Sequence, residues 1–248
     1  MRYRNENITD TNIFHVHTYR CGHASHDSDE LYIKKAIELG ASAITFTDHA
    51  PFPKNIFVNR MKIEQLPEYV QSLGRLREQY RDIIEVKIGL EIEYLPRFES
   101  YYEELKKSDC FDILMLGQHF YECANGTYNF LLSKGLLRES EAGGICMAVI
   151  AGMETGLFKV LAHPDRMFRY CGKWNKEMEQ MSKKIIKTAV QQHVILEKNL
   201  SSMKMENYYR DEFWNLVPDT VQTIIGTDAH AVHQLEEMYI RMEERKIC

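Results

Sequence analysis

Short β-like segments alternate with longer helical segments along almost the whole of this 248-residue chain. Seven apolar segments have the composition of buried strands, at residues 12–17, 43–47, 85–94, 113–117, 159–162, 194–197 and 223–227. Amphipathic helical patterns lie between and after them, at residues 28–40, 63–80, 97–108, 139–155, 176–193 and 232–245. Strands that are separated by helices are expected to run parallel. The sequence therefore predicts an α/β protein, in which helices cover a parallel sheet or barrel.

Three pairs of potential metal ligands lie at the ends of apolar segments, with one residue between the members of each pair. They are His15-Val16-His17, Glu91-Ile92-Glu93 and Asp228-Ala229-His230. Residues i and i+2 of a strand point to the same face, so each pair is expected to project both side chains into one cavity. Converging imidazole and carboxylate groups commonly hold a metal. The pattern predicts a metal site at the carboxyl ends of the strands, where α/β barrels build their sites.

Most of the ten histidines also lie at strand ends, which strengthens this interpretation. A polar side chain satisfied at the rim of the core is the ordinary explanation for any single histidine. Recurrence at successive strand ends favours a metal cluster instead, at His15, His17, His23, His49, His119, His163 and His230. Imidazole and carboxylate suit zinc, manganese or iron, whereas calcium takes oxygen ligands only. His26, His193 and His233 fall outside the pattern and are predicted to lie on the surface.

The composition is that of a soluble globular protein, with 44% hydrophobic and 27% charged residues. A chain of this length suits one sizeable core, so a single domain is predicted. The net charge of −5 argues against a large nucleic-acid interface, which normally forms a basic face. It leaves phosphate substrates open, because bound divalent cations reverse the local field.

Targeting and redox features point to the cytoplasm. The polar first ten residues contain no apolar core of a secretory signal, and the segment 143–158 is too short and interrupted to span a membrane. The six cysteines are scattered without a Cys-x-x-Cys pair, so reduced thiols are expected rather than a disulfide framework.

The order of the motifs resembles that of the PHP (polymerase and histidinol phosphatase) superfamily, over about residues 12–235. The matching segments are His15-x-His17-x5-His23, Thr47-Asp48-His49, Gly89-Leu90-Glu91, His119, Ala162-His163-Pro164-Asp165 and Gly226-Thr227-Asp228-Ala229-His230. The histidinol-phosphatase branch is most similar, through Cys21-Gly22-His23-Ala24, Thr47-Asp48-His49-Ala50-Pro51 and Gly89-Leu90-Glu91-Ile92-Glu93-Tyr94. The resemblance implies one domain over residues 1–248, a distorted (β/α)7 TIM-like barrel. It also implies a centre of three divalent transition-metal ions and hydrolysis of a phosphomonoester.

The resemblance also implies which residues hold each metal. His15, His17, Glu91 and Asp228 would hold the first ion, and Glu91, His119 and His163 the second, with Glu91 bridging the two. The third ion would be held by His23, His49 and His230. Glu93 is expected to support a ligand or contact the substrate, and Asp165 either fixes the tautomer of a histidine ligand or forms a turn.

Two departures from the branch bear on the substrate and leave the metal ligands intact. Gln118 precedes His119, where a smaller or isoleucine-like residue is expected. The segment Glu197-Lys198-Asn199-Leu200-Ser201-Ser202 is only loosely similar to the Asn-Thr-Ser-Gly-Leu-Arg of histidinol phosphatases.

We expect a metal-bound hydroxide to attack phosphorus, with a cation clamping the phosphoryl oxygens. Arg166, three residues after His163, is the first candidate because a guanidinium grips phosphate through two hydrogen bonds. The expected catalytic residues are therefore Asp228, His230 and Arg166. Further candidates for substrate contact are Arg20, Tyr121, Lys198 and Asn199.

The leading functional prediction is a phosphatase of L-histidinol phosphate in histidine biosynthesis. One alternative keeps the chemistry and changes the substrate, to another small phosphoester or a nucleotide. A second alternative is a metal-binding module without catalysis, although none of the expected ligands is missing.

Overall fold

The computed structural model describes residues 12–130 and 139–238. Nine strands lie in this part of the chain: β1 (Asn12–Val16), β2 (Ala43–Phe46), β3 (Glu85–Ile92), β4 (Ile113–Leu116), β5 (Phe120–Glu122), β6 (Tyr128–Phe130), β7 (Val160–Leu161), β8 (Ile195–Asn199) and β9 (Thr223–Gly226). All except β5 and β6 were predicted, and each boundary falls within two residues of its prediction. The strands β2 and β4 are buried at every position, because a parallel sheet is covered on both faces.

The seven predicted strands form one sheet in the order β1-β2-β3-β4-β7-β8-β9. The pairs β1–β2, β2–β3, β4–β7 and β7–β8 are parallel. The ends of this order are joined as well, since the Thr227 N–H donates to the Phe14 carbonyl at 2.8 Å and the His17 N–H donates to the Ala229 carbonyl at 2.9 Å. The sheet therefore closes on itself, and the predicted α/β class with a (β/α)7 TIM-like barrel is confirmed.

Contacts between Cα atoms divide the chain into two compact units. Unit 1 contains Met1–Glu91, Leu105–Leu114 and Ile225–Cys248. Unit 2 contains Ile92–Glu104 and Met115–Ile224. The interpretation of residues 1–248 as a single domain stays a prediction.

The helices follow the predicted pattern, with α1 at Asp29–Glu38, α2 at Leu66–Tyr80, α3 at Glu99–Lys107, α4 at Glu139–Glu154 and α5 at Lys176–Gln192. Asn175 begins α5 by accepting hydrogen bonds from the backbone N–H groups of Glu177 and Met178. A further helix begins at residue 232 and is described to residue 238. The rest of the predicted helix 232–245 lies outside the described residues.

Among the described strands and α-helices, those that were not predicted are the hairpin of β5 and β6 and the helices α6 (Leu200–Met203) and α7 (Asp211–Trp214). β5 and β6 pair antiparallel. Asn125 and Gly126 lie in the connecting turn, and this dipeptide is a strong hairpin signal that could have revealed it. α6 and α7 have four residues each, too few to give a helical periodicity.

A close approach of the backbone explains why β3 contains a glycine, Gly89, two residues before Glu91. A Cβ atom at this position would lie 2.9 Å from the backbone carbonyl oxygen of Ile113, closer than packing allows. Only glycine lets the chain pass at this distance. Among residues 12–130 and 139–238, the structure contains no helix with the length and apolar character needed to cross a membrane.

Candidate metal centre

Four side chains converge within unit 1: His15, His17, Glu91 and Asp228. The Nε2 atoms of His15 and His17 lie 2.9 Å apart, and they lie 3.3 and 3.4 Å from Glu91 Oε2. Asp228 Oδ1 lies 3.7 Å from the first of these nitrogens and 3.3 Å from the second. Ligand atoms bound at about 2.1 Å around a tetrahedral ion lie roughly 3.4 Å from one another. The four residues therefore fit the first predicted metal.

Backbone irregularities, rather than regular strand alternation, direct His15 and Asp228 into this site. The register of β1 with β2 shifts between Ile13 and Val16, which marks a bulge. His15 has a φ of 68° and Asp228 a φ of 53°, in the left-handed region that non-glycine residues rarely adopt. Such strained residues are concentrated at functional sites. The convergence was predicted, and the flat-strand geometry used to predict it is wrong at His15.

His23 and His230 form a second converging pair in unit 1, with their Nε2 atoms 2.9 Å apart. His23 Nδ1 lies 3.1 Å from the carbonyl oxygen of Cys21, and His230 Nδ1 lies 3.0 Å from that of Asp228. A carbonyl oxygen only accepts, so each Nδ1 carries the hydrogen and each Nε2 presents a lone pair. Two lone pairs this close repel each other unless a cation lies between them. The pair fits a metal ion.

His49 is the remaining histidine of unit 1 expected to bind metal. Its Nδ1 atom lies 3.1 Å from Glu91 Oε2, and its ring centroid is 5.3 Å from that of His23. One possible ligand set combines His17, His49 and His230, whose ring nitrogens all lie within 4.8 Å of one another. The structure thus brings together all seven predicted ligands of unit 1, and the assignment of each to a particular ion stays a prediction.

Desolvation favours the neutral form of three histidines of this site, which is the form that binds metal. Desolvation is the largest influence on each: it lowers the pKa of His17 and of His23, and it lowers the pKa of His230 to about 4. Burial also raises the pKa of the Cys21 thiol to about 12, so this thiol is protonated in the metal-free protein. Imidazole nitrogens are therefore better prepared as ligands here than the Cys21 sulfur.

Asp48, for which no role was predicted, fixes the backbone that follows His17. It is fully buried and accepts hydrogen bonds from Thr18 N–H and Thr18 Oγ1, both at 2.8 Å. Desolvation raises the pKa of Asp48 to about 7. Its place between Thr47 and His49 in a metal motif was the signal that could have identified it.

Arg20, a candidate for substrate contact, is buried and forms ion pairs with two carboxylates. Its guanidinium contacts both carboxylate oxygens of Asp29, at 2.7 and 2.9 Å, and both of Glu68, at 2.7 and 2.9 Å. It also donates to Thr18 Oγ1 at 3.0 Å. The Arg20 side chain is 1% exposed. These contacts favour a structural role for Arg20 over contact with a substrate.

Unit 2 holds the other two histidines expected to bind metal, His119 and His163, with ring centroids 5.1 Å apart. His119 Nδ1 lies 3.0 Å from Glu93 Oε1. The backbone N–H of His163 donates to Glu197 Oε2 at 3.0 Å, and His163 has a φ of 31°. Glu197 was not singled out, although a carboxylate after the apolar run Val194-Ile195-Leu196 was a usable signal. The predicted second ion, which would combine these histidines with Glu91, stays a prediction.

Gln118, the residue that departs from the expected pattern, forms hydrogen bonds with the backbone of Tyr94. Its Oε1 atom accepts from the Tyr94 N–H at 2.9 Å, and its Nε2 atom donates to the Tyr94 carbonyl at 3.2 Å. The amide satisfies two backbone groups that would otherwise be buried without partners, which explains a polar residue at this position.

Arg166 lies beside His119 and His163, and all three line one small pocket of unit 2. Its Nη2 atom donates to Asn199 Oδ1 at 2.8 Å, and its Nε atom donates to Ser202 Oγ at 3.0 Å. Asn199 is buried, and its Oδ1 atom also accepts from the Ser202 N–H at 2.8 Å, which begins α6. These two contacts hold the Arg166 guanidinium in place.

The remaining predicted residues occupy defined positions in unit 2. Tyr121 lies on β5, and its hydroxyl accepts from Asn129 Nδ2 at 3.3 Å. Lys198 Nζ lies 5.5 Å from the centroid of the Trp214 ring. Asp165 does not reach a histidine side chain through the contacts seen here: its Oδ2 atom accepts from the Arg210 N–H at 2.8 Å and from Trp214 Nε1 at 3.0 Å. His26, His193 and His233 are exposed, as predicted.

The sequence of this chain is similar to a known protein family and to proteins from other organisms. A family model described as PHP domain matches residues 14–201. The chain is 30% identical over 164 residues to a Deinococcus radiodurans protein named probable histidinol-phosphatase, a match that covers 61% of this chain and 59% of that protein's length. It is 28% identical over 232 residues to the histidinol-phosphatase of Lactococcus lactis, covering 88% of this chain and 83% of the relative.

Two solved structures have the same fold. One, hisK from Listeria monocytogenes, has a TM-score of 0.77 and 18% identity, covering 93% of this chain and 99% of that chain. The other is a histidinol phosphate phosphatase from Lactococcus lactis complexed with zinc, L-histidinol and phosphate. It has a TM-score of 0.68 and 22% identity, covering 94% of this chain and 93% of that one.

Proposed function

Because the chain belongs to the PHP domain family, we propose that it is a metal-dependent phosphatase that hydrolyses L-histidinol phosphate to L-histidinol and phosphate. The observation that carries the proposal is the convergence of His15, His17, Glu91 and Asp228 at distances that suit one metal ion. The names of the two relatives, and the ligands named for the Lactococcus lactis structure, support the substrate. Histidine biosynthesis in the cytoplasm is the corresponding role.

We assign three divalent transition-metal ions to the site, with zinc, manganese and iron as candidates. His15, His17, Glu91 and Asp228 would hold the first ion; Glu91, His119 and His163 the second; and His23, His49 and His230 the third. Bound ions of this kind neutralise charge on the phosphoryl group and lower the pKa of a coordinated water. Desolvation lowers the pKa of His17, His23 and His230 and so favours the neutral imidazoles that bind metal.

Arg166 supplies the cation that binds the phosphoryl oxygens. Its contacts to Asn199 and Ser202 fix the direction of the guanidinium before substrate arrives, so little side-chain entropy is lost on binding. Hydrogen bonds between a guanidinium and phosphate oxygens are strong because both groups are charged. Asn199 thereby acts through Arg166, while Tyr121 and Lys198 stay candidates for the rim of the substrate site. Asp228 and His230 stay the proposed catalytic residues beside Arg166.

The test is metal analysis followed by phosphate-release assays on L-histidinol phosphate, an aryl phosphate and a dinucleotide. We expect turnover of histidinol phosphate with the highest kcat/KM. Absence of turnover in a fully metallated protein would reject the enzyme and favour a metal-binding module. Turnover of the other substrates alone would identify a phosphatase of different specificity.

Two matched variants compare a proposed metal ligand with a histidine on the surface. His119→Asn removes a proposed ligand and is expected to abolish activity. His193→Asn makes the same change at an exposed position that ends α5 with a φ of 54°, a conformation that asparagine adopts readily. Retained activity in His119→Asn would contradict the assignment of this ligand.

A further inference from the structure

Two hydrogen bonds that do not involve the histidine rings join the loop that carries His23 to the segment that carries His230, and a third lies within the loop. The backbone N–H of Ser25 donates to the carbonyl of His230 at 2.7 Å. Asp27 Oδ2 accepts from Ser25 Oγ at 2.6 Å and from the backbone N–H of Val232 at 3.0 Å. We call the two contacts to Asp27 Oδ2 the Asp27 bridge.

The Asp27 bridge caps a helix from outside that helix. The helix that begins at residue 232 leaves its first N–H groups without partners inside the helix. The carboxylate of Asp27 satisfies one of them, that of Val232, although the two residues are 205 positions apart in sequence. A carboxylate is favourable here because the N-terminal end of a helix is partially positive. The bridge thus fixes the start of this helix against the loop of residues 23–27.

His230 is held through its backbone as well as through its ring. Its N–H donates to Gln234 Oε1 at 2.7 Å, and its carbonyl accepts from the Ser25 N–H. With Nδ1 bound to the Asp228 carbonyl, Nε2 of His230 is directed at Nε2 of His23, 2.9 Å away. The distance between the two nitrogens therefore depends on how the loop and the helix are joined.

We propose that Asp27 and Gln234 are positioning residues for the third metal ion, which hold His23 and His230 at ligand distance before the ion binds. The proposal rests on the metal centre described above and adds residues that touch neither metal nor substrate. Two imidazoles with facing lone pairs repel each other when no cation is bound, so an external restraint is needed to keep them together. The restraint is supplied in advance by the fold, and loss of either residue makes binding of the ion weaker.

The test is a calorimetric titration of chelator-treated protein with zinc. His23→Asn first identifies the binding step that belongs to the third ion, because that step disappears. Asp27→Ala is then expected to weaken the same step about tenfold, which is the lower end of the effect of losing a residue that orients a ligand. The binding step of the His15 and His17 site is expected to be unchanged. Asp27→Asn retains an oxygen for the Val232 N–H and is expected to restore part of the affinity.

Asp82→Ala is the matched control, because the side chain of Asp82 is 89% exposed. Equal zinc affinities for Asp27→Ala and Asp82→Ala would overturn the proposal. The proposal would also be overturned if Asp27→Ala lost zinc affinity equally in all binding steps and had a lower melting temperature without metal. Such a result would indicate a general structural role for Asp27. Gln234→Ala removes only the bond to the His230 N–H and gives the same test if Asp27→Ala does not fold.

The titration needs no turnover, so its outcome is separate from that of the proposed function. A wild-type protein that binds zinc without hydrolysing histidinol phosphate would reject the proposed function and leave the comparison of Asp27→Ala with Asp82→Ala intact. An active enzyme in which Asp27→Ala binds the third ion normally would reject only the role of Asp27.

Discussion

His119 Nδ1 lies 3.0 Å from Oε1 of Glu93, a carboxylate that is 1% exposed. An ionised carboxylate only accepts hydrogen bonds, so Nδ1 carries the hydrogen and Nε2 keeps the lone pair that a metal needs. Carboxylates commonly orient the histidine ligands of metal sites in this way. Glu93 shares its motif with Glu91, and the contact with His119 indicates a different role, that of orienting a proposed ligand.

Glu93→Gln is expected to lower kcat for phosphate release by about 10- to 100-fold, because the neutral amide holds His119 less firmly and makes it a weaker ligand. Metal content after dialysis and steady-state kinetics measure the two effects. Glu85→Gln, at the exposed start of β3, is the matched control, with a side chain that is 62% exposed. Wild-type kinetics and metal content in Glu93→Gln would show that the contact does not support the site.

Arg166→Met is expected to lower kcat/KM by roughly 10- to 100-fold, since hydrogen bonds to a charged group contribute about 1.5–3 kcal/mol. The metal content is expected to be unchanged, because no ligand is removed. Arg81→Met, whose side chain is 67% exposed, makes the same change on the surface. Loss of metal from Arg166→Met would instead identify a structural role.

Gly144→Ala and Gly143→Ala are expected to have opposite effects on stability. A Cβ at Gly144 would overlap the ring of Tyr121, whereas a Cβ at Gly143 meets no atom within 4 Å. Overpacking costs about 1–3 kcal/mol in Gly144→Ala, and alanine stabilises a helix by about 0.5–1 kcal/mol over glycine in Gly143→Ala. Urea unfolding gives the free energy of unfolding of both. Equal stabilities would mean that Tyr121 does not pack on α4 as described.

The buried carboxyl of Asp165 is expected to make the free energy of unfolding depend on pH. Desolvation raises the pKa of this buried carboxyl from 3.8 to about 7 in the folded protein. Between these values the folded state holds a proton that the unfolded state releases, so the free energy of unfolding falls as pH rises from about 4 to about 7. The slope due to this group is at most about 1.4 kcal/mol per pH unit.

Asp165→Asn removes the titrating group and keeps an oxygen for the Arg210 N–H and Trp214 Nε1. Urea unfolding of metal-free protein at several pH values is expected to show a shallower decline between pH 5 and 7 in the variant. Asp219→Asn, at an exposed position, is expected to decline as the wild type does. The prediction fails if the three proteins give parallel curves.

Local patterns in the sequence were sufficient for the elements that present the site. Seven apolar segments predicted the seven strands of the sheet, because burial on both faces of a parallel strand leaves a continuous apolar run. The side chains at the ends of those runs, together with His23 in the loop after the first run, predicted the proposed ligands that meet in unit 1. The hairpin of β5 and β6 was missed because its strands have three residues each, which is too few for a periodicity.

The contacts that hold the ligands in place were decided by tertiary structure alone. Glu197 reaches the His163 N–H from 34 positions away, and Asp27 reaches the Val232 N–H from 205. Arg20 is next to the ligand motifs in sequence, yet the fold brings Asp29 and Glu68 to it and gives it a buried ion pair. Residue type and local spacing determine which side chains are able to bind a metal. Which partners fix, neutralise or orient them depends on contacts between distant segments, and those exist only once the chain has folded.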